Sequence, residues 1–306
     1  MPLPDEVRRL LAERSAARDD RDWARADALR AEIAALGWEV QDSKGRSSAR
    51  PILPAAPAPE DAGDAPLNAP ATVAASVQLV AEDHPDDLAR CLRGLAATPP
   101  AATWELVIVA NAPASPVDAL LAPVALPVEP VILLTSERLG WADSRTLGMR
   151  HSRGEISILL DTSLEPTGDI VTPLLAAFED PTVGLAGGWG VVSGNGRQFE
   201  EAEPGEVDAV EAYCLAVRRE ALRAVGGFDR RFRYYRNADL DLSFAVRDAG
   251  WRAVRTPPLP VTRHEHRGWN ALPEPERDRL SKRNFYRFLE HWGDRRDLLL
   301  HPDPNR

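Results

Sequence analysis

The sequence predicts an α/β protein: a mostly parallel sheet flanked by helices over residues 73–300, behind a helical hairpin module at 1–50 and a linker at 51–72. Three observations carry that reading. From residue 73 onward, short and almost wholly apolar runs alternate with amphipathic stretches, the pattern of strands buried on both faces between helices. Prolines at 51, 54, 57, 59, 66 and 70, with alanines between them, erase any helical or strand period and give an extended, semi-rigid spacer. Residues 5–36 carry apolar steps of three and four, broken at Asp19-Asp20-Arg21-Asp22.

In the hairpin, Val7, Leu10, Leu11 and Arg14 fall at helical spacing. Trp23, Ala26, Leu29, Ile33 and Leu36 form the stripe of a second helix, with Gly37 placed as a left-handed cap. So small a pair has little core and needs a partner surface. In the larger unit, strands are expected at Ser76–Val80, Trp104–Val109, Val128–Leu134 and Ile156–Leu160. Helices are expected at Asp86–Ala97, with Leu88, Leu92 and Leu95 inward, and at Trp141–His151. Beyond Gly184 glycines surround Trp189. A strand over Val207–Arg218, a helix over Asp239–Ala249, a strand near Trp251–Arg255 and a helix over Glu274–Trp292 complete the chain.

The net charge of −10 argues against nucleic acid as a partner of the whole chain, and means that an anionic ligand needs local arginines or a metal. Cys91 and Cys214 are far apart and lack a CxxC partner, so they provide neither a disulfide framework nor a zinc site and fit a reducing compartment. Met1–Glu6 shows no basic stretch followed by an apolar one, and the most apolar runs are about seven residues, far short of a membrane span. The expectation is a soluble, cytoplasmic protein.

Few residues stand out for chemistry. Asp161 closes an apolar strand, where ligands of parallel sheets bind, although a turn or helix cap also uses such a residue. Asp239 and Asp241 open a helix whose free N–H groups favour carboxylates; capping needs only one, and a carboxylate held there could accept a proton from a hydroxyl. His264 and His266 would share a face if they lie on a strand, or belong to a polar surface strand. Gly188-Trp189-Gly190-Val191-Val192-Ser193-Gly194 leads into Asn195-Gly196, a turn rather than a helix, which excludes a dinucleotide loop and with it a nicotinamide dehydrogenase. The last helix interleaves Leu280, Phe285, Phe288, Leu289 and Trp292 with Arg277, Arg279, Lys282, Arg283 and Arg287; such a stripe packs on its own domain or touches a membrane surface as a peripheral contact.

A run of ordered motifs narrows the class. Leu139-Gly140-Trp141-Ala142-Asp143-Ser144-Arg145-Thr146-Leu147-Gly148-Met149-Arg150, then Arg153-Gly154-Glu155 and Leu160-Asp161, resembles the family 2 glycosyltransferases, and so do Gly226-Gly227-Phe228-Asp229, Asp239-Leu240-Asp241, Ala249-Gly250-Trp251 and His264. The resemblance implies a GT-A-like, Rossmann-like fold and transfer of a sugar, with inversion, from a nucleotide-diphosphate donor to the hydroxyl of a saccharide or lipid-linked acceptor. It implies Asp239 as the base, Asn111, Arg145, Asp161 and Ser163 on the donor side, Asp241 and Trp189 on the acceptor side, and a divalent metal (Mg or Mn) facing Asp161 and His264. The chain departs from the pattern at Ser163, where the second aspartate of Asp-x-Asp would stand, at Ala238, where a glutamate precedes the base, and at Glu82, Ala110 and Thr146. Those departures leave open a catalytically silent relative that binds sugar nucleotides or glycans. At the other end, Arg25-Ala26-Asp27-Ala28-Leu29-Arg30 with Gly37, Asp42 and Gly45 resembles the C-terminal helical segment of cysteinyl-tRNA synthetases. Ten Lys/Arg balance ten Asp/Glu in residues 1–50, so no charge supports RNA binding and protein contacts are expected instead.

Overall fold

The computed structural model describes residues 4–36, 38–43, 46–51, 66–113, 121 and 124–303. The first module holds helices α1 (Asp5–Asp19) and α2 (Trp23–Ala35) and an antiparallel pair, β1 (Trp38–Ser43) and β2 (Arg46–Pro51). Asp22 caps α2 by accepting from the Arg25 N–H at 3.0 Å. Val7, Leu10 and Leu11 close with Ala26, Leu29 and Ile33 on Trp38 and Val40, so the strand pair supplies the partner surface that two short helices lack. Only Trp38 and Val40 alternate as apolar residues in that stretch, too short a pattern to read as a hairpin. The expected stripe of α2 is buried at its centre only: Trp23 and Leu36 are exposed. The cap expected at Gly37 lies outside the described residues.

The larger unit contains strands β3 (Val73–Ala81), β4 (Trp104–Ala110), β5 (Val131–Leu134), β6 (Gly154–Leu160), β7 (Leu164–Pro166), β8 (Val183–Gly187), β9 (Gly190–Val192), β10 (Glu200–Glu201), β11 (Gly205–Glu206), β12 (Ala209–Val210), β13 (Cys214–Arg218), β14 (Arg252–Arg255) and β15 (Val261–Arg263). Between them run α3 (Pro85–Ala97), α4 (Trp141–Arg150), α5 (Val171–Ala177), α6 (Arg219–Val225), α7 (Ala238–Asp248), α8 (Arg267–Asn270) and α9 (Glu274–Trp292). Eight strands form the main sheet in the order β11-β14-β8-β13-β6-β3-β4-β5. β6, β3, β4 and β5 are parallel, β8 and β14 are parallel to each other, and β13 runs antiparallel to both β6 and β8.

Alternation along the strands feeds two cores. Ile158 packs with Leu88, Leu92, Leu106 and Leu174 on one face, and Leu159 with Trp141, Met149, Leu215 and Phe232 on the other. Cys91 and Cys214 are free thiols buried in the first of these. The strand expected over Val207–Arg218 is divided: β12 pairs with β9 in a small side sheet, the chain turns at 211–213, and β13 then enters the main sheet. On α9, Phe285, Phe288, Leu289 and Trp292 pack with Leu240 and Phe244, so its apolar stripe faces the domain. Among the described residues, no helix is long and apolar enough to cross a membrane.

Arg219, buried on α6, donates to the carbonyls of Ser152 (3.1 Å), Gly154 (2.9 Å), Ala69 (2.9 Å) and Pro66. Arg223 donates to the carbonyls of Leu67 and Ala69, both at 2.7 Å. Residues 66–69, with Leu67 buried, are therefore docked on the unit that follows; of the stretch read as linker, 52–65 lie outside the described residues. We place the start of the stable domain at 66 and expect a 66–303 fragment to melt cooperatively and well above a 73–303 fragment. The shorter one leaves the Arg219 and Arg223 donors without those acceptors, at about 1–3 kcal/mol for each buried group stranded. Equal melting temperatures would return the boundary to 73.

Candidate functional site

Parallel strands β6, β3 and β4 end side by side, and their exits bring Asp161, Glu82 and Asn111 to one edge of the sheet. A cleft there is lined by Glu82, Asp87, Arg145, Asp161, Ser163, His266 and Arg267. Asp161 is held from three sides. Its backbone N–H donates to the Tyr213 carbonyl at 2.9 Å, and its Oδ1 accepts both the backbone N–H (2.9 Å) and the hydroxyl (2.5 Å) of Ser163. Burial alone would raise this carboxyl, but the His266 imidazole and the Ser163 donors outweigh it and hold it at about 2.

The two histidines separate. β15 pairs with β7 only as far as Arg263, and the His264 N–H closes the ladder on the Ser163 carbonyl at 2.8 Å. Past that point the strand period no longer applies. His264 turns to Glu165, with Nε2 2.7 Å from Oε2, and it is His266 whose Nε2 lies 3.6 Å from Asp161 Oδ2. Of the two histidines expected near this carboxylate, His266 is the one beside Asp161, and His264 pairs with Glu165. The His266 ring stacks on Tyr235 (centroids 4.7 Å apart), and its Nδ1 accepts the Trp269 N–H at 3.1 Å. With Nδ1 an acceptor, the proton of the neutral ring sits on Nε2 and points at Asp161.

Asn111 also differs from expectation. It is buried, its Nδ2 donates to Glu82 Oε1 (2.8 Å) and the Leu139 carbonyl (3.2 Å), and its Oδ1 accepts the Leu139 N–H (2.8 Å). Both donors are engaged, and the side chain fastens the loop before α4. Arg145 stays on the cleft wall, 3.4 Å from Glu82 Oε1 and 4.7 Å over the Trp141 ring.

Asp239 lies in the first turn of α7, and its Oδ2 accepts the Ala212 N–H at 3.1 Å, from 27 residues earlier in the chain. Burial raises its pKa, more than those backbone donors lower it. Beside it stand Glu211, raised by burial and by the charge of Asp239, and Tyr213, whose ring contacts Trp189 (5.8 Å) and Tyr235 (6.2 Å) and lies under Arg263 (3.9 Å). The Trp189 carbonyl accepts the Glu211 N–H at 3.0 Å, which sets Trp189 beside this group. Asp241, two residues on, points away from this group: its Oδ1 accepts the Trp292 indole N–H at 2.8 Å on the far face of α7. Two residues along a helix turn it by about 200°, so Asp239 and Asp241 leave α7 on opposite faces.

Asp229, Asp241 and His291 form a second carboxylate–imidazole group, with ligand atoms within 4.8 Å of one another. The Arg231 guanidinium already bonds Asp229 (2.8 Å) and His291, so one of the two carboxylate charges is matched by the chain itself. Tyr213, Tyr235 and Glu211 were not singled out from sequence. The one available signal was Tyr234-Tyr235 directly ahead of Asn237-Ala238-Asp239.

Arg236 (φ 87°) and Asn237 (φ 64°), which lead into α7, both adopt left-handed backbone, which asparagine tolerates and arginine rarely adopts. Buried Asn284 of α9 donates from Nδ2 to the carbonyls of Tyr234 (2.8 Å) and Arg236 (2.9 Å), and Asn237 Nδ2 reaches the Ser281 carbonyl (3.3 Å).

A family model described as Glycosyl transferase family 2 matches residues 77–255, and one described as Cysteinyl-tRNA ligase anticodon binding domain matches residues 2–50. The chain is 27% identical over 173 residues to the uncharacterized protein y4gI of Sinorhizobium fredii, covering 47% of this chain and 19% of that one. It is 41% identical over 68 residues to an N-acetylglucosaminyl-diphospho-decaprenol L-rhamnosyltransferase of Mycobacterium tuberculosis, 22% of each chain, and 43% identical over 44 residues to a cysteine–tRNA ligase of Chlamydia caviae, 14% of this chain and 9% of that one. It thus spans less than a quarter of the length of these relatives. Among solved structures it is similar to GalNAc-T7 with UDP, GalNAc and Mn2+ (TM-score 0.59, 16% identity, 74% of this chain and 50% of that one). It is also similar to the mannosyltransferase PcManGT of Pyrobaculum calidifontis in complex with GDP-Man and Mn2+ (TM-score 0.53, 16% identity, 76% and 81%). The larger unit has the GT-A fold.

Asn284→Ala strands two carbonyls and releases the strained turn. We expect a loss of about 1–3 kcal/mol in urea unfolding, and faster proteolysis within 230–238. An unchanged unfolding midpoint would remove Asn284 as the clamp.

Proposed function

Because the chain belongs to glycosyl transferase family 2, we propose that this cleft moves a sugar from a nucleoside-diphosphate donor to an acceptor hydroxyl, with inversion at the anomeric carbon. The observation that carries the reading is the opposite tuning of two carboxylates tied to one turn: Asp161 is held at about 2 and Asp239 is raised by burial. Paired groups pushed apart in this way divide into a permanent charge and a proton acceptor.

In the proposed reaction the acceptor oxygen bonds to the anomeric carbon as the bond from that carbon to the diphosphate oxygen breaks on the opposite face. The electron pair leaves with the diphosphate, and the acceptor proton passes to Asp239, whose raised pKa makes it a stronger base than an exposed aspartate. Arg145 and Arg267 line the cleft but are already paired with Glu82 (3.4 Å) and Asp87 (2.8 Å), so offsetting the diphosphate charge falls mainly to a cation. Trp189, partly exposed beside the buried Tyr213, offers an aromatic face to a saccharide.

A magnesium or manganese ion fits at Asp161. Oδ1 is engaged by Ser163, while Oδ2 faces His266 at 3.6 Å, longer than a hydrogen bond, and keeps lone pairs for a hard cation. One carboxylate suffices when phosphates and water complete the shell. Such an ion would stabilise the charge that develops on the leaving diphosphate. His266 would be a ligand only if Nδ1 gave up the Trp269 N–H. The rhamnosyltransferase relative, which acts on a diphospho-decaprenol, and the manganese in both GT-A neighbours support a lipid-linked saccharide as acceptor and the cation as cofactor. The two buried thiols fit reaction in the cytoplasm. A second reading, binding without turnover, is favoured by the Ser163 hydroxyl in the place of a second carboxylate.

Asp239→Asn tests the assignment. Turnover should fall by roughly two to four orders of magnitude, the usual worth of a positioned base, with donor affinity by calorimetry nearly unchanged. Folding raises this pKa, so ionising Asp239 opposes folding, and stability falls as pH rises from about 3.9 through the raised value. The asparagine variant should therefore melt no lower than wild type at neutral pH. The acid limb of wild-type kcat/KM should have its midpoint above about 3.9, the ordinary carboxylate value. Full activity in the variant would eliminate Asp239 as base; nucleotide-sugar binding with no product from the wild type would favour the silent reading.

A further inference from the structure

We propose that the 230–236 segment and the outer side of α9 form a cationic surface that docks the protein on an anionic lipid bilayer. Although the chain carries ten net negative charges, Arg233, Arg236, Arg277, Lys282, Arg283 and Arg287 make no ion pair among the described residues. Arg279 is matched by Glu276 and Arg231 by Asp229. Asp278 and Glu290 are the other acidic side chains of α9 beyond Glu274, all exposed, and the balance stays positive. Arg283 faces Arg233, Arg279 and Arg287 with Glu276 as its acidic neighbour, and its Nε has no hydrogen-bond partner. Like charges crowded in this way oppose folding unless an external anion neutralises them.

The shape of the patch selects the anion. Arg279, Lys282, Arg283 and Tyr286 fall at i, i+3, i+4 and i+7, on one face of α9, opposite the buried Asn284 and Phe288. Tyr286 is 68% exposed, a large ring kept in water amid cations. A tyrosine flanked by lysine and arginine is the composition that sits at headgroup level. The aromatic stripe of α9 faces inward, so the contact is peripheral, made by headgroup charge and one ring. The surface also reaches the cleft: Arg236 and Arg277 lie 5.1 and 5.6 Å over Trp269, which stacks on Tyr234 and abuts Tyr235 beside His266. A bilayer held there would lie next to the acceptor side. The inference does not need turnover and stands apart from the transfer reaction.

The test is sedimentation of the full chain with vesicles of phosphatidylcholine, with and without phosphatidylglycerol. Wild type should partition to the anionic vesicles only, and salt should release it. Arg233→Glu/Lys282→Glu/Arg283→Glu should weaken partitioning by about a hundredfold, near fivefold for each cation lost. Lys282→Glu/Tyr286→Ser, confined to exposed side chains, should weaken it at least tenfold with an unchanged melting temperature, which guards against a folding defect in the triple variant. No binding by wild type, equal binding to both kinds of vesicle, unaltered binding by the double variant, or retention on RNA in place of vesicles would each overturn the proposal.

Discussion

The site depends on the direction of one strand. Because β13 runs antiparallel to β6, with Cys214 opposite Leu160, its beginning lies beside the end of β6, and the turn that feeds it falls next to Asp161. A parallel strand in that place would have put its start at the other end of the sheet. The turn at 211–213 uses both of its hydrogen-bonding senses: the Tyr213 carbonyl accepts from Asp161, and the Ala212 N–H donates to Asp239. Two carboxylates from distant parts of the chain are thus referenced to the same three residues, and a shift of the turn would displace both.

Much of the frame is legible because strong periodicity and burial coincide. The apolar runs at 104–109 and 156–160, the leucines of α3 and the extent of α9 were all readable, since core strands and amphipathic helices mark themselves in composition. The site is less legible, for reasons that differ from residue to residue. His264 and His266 are indistinguishable while a strand is assumed to run through them, and only the end of the β7–β15 ladder at Arg263 decides which one turns to Asp161. Asp241 looks like a partner of Asp239 in sequence and is separated from it by the helical turn. Asn111 has the chemistry of a ligand residue but sits where the loop to α4 needs a fastener. The break at 211–213 is invisible in an apolar run, because residues on either side of it are equally buried in two different sheets.

The turn that positions Asp239 also relies on chain beyond the span matched by the family model, which ends at residue 255. Arg236 and Asn237 hold left-handed backbone angles immediately before α7, unfavourable for the arginine, and the groups that keep them there, Asn284 and the Ser281 carbonyl, come from α9. Strain at a functional turn persists when its surroundings over-determine it. Here the buried amide and the packing of Phe288 under Phe244 do so together, which makes α9 a support of the cleft as well as an outer surface.

The two thiols noted among the core residues have a practical meaning. Cys91 and Cys214 are both fully enclosed; burial pushes the Cys214 thiol up to about 12 and raises Cys91 as well, so neither forms a thiolate at neutral pH. One sits on α3 and the other on β13, in the same apolar layer beneath the cleft. An alkylating reagent or an oxidant in solution therefore meets no reactive sulfur in the folded domain and finds two when that layer parts. The protein carries a built-in chemical clock for its own opening, one that needs no engineered label.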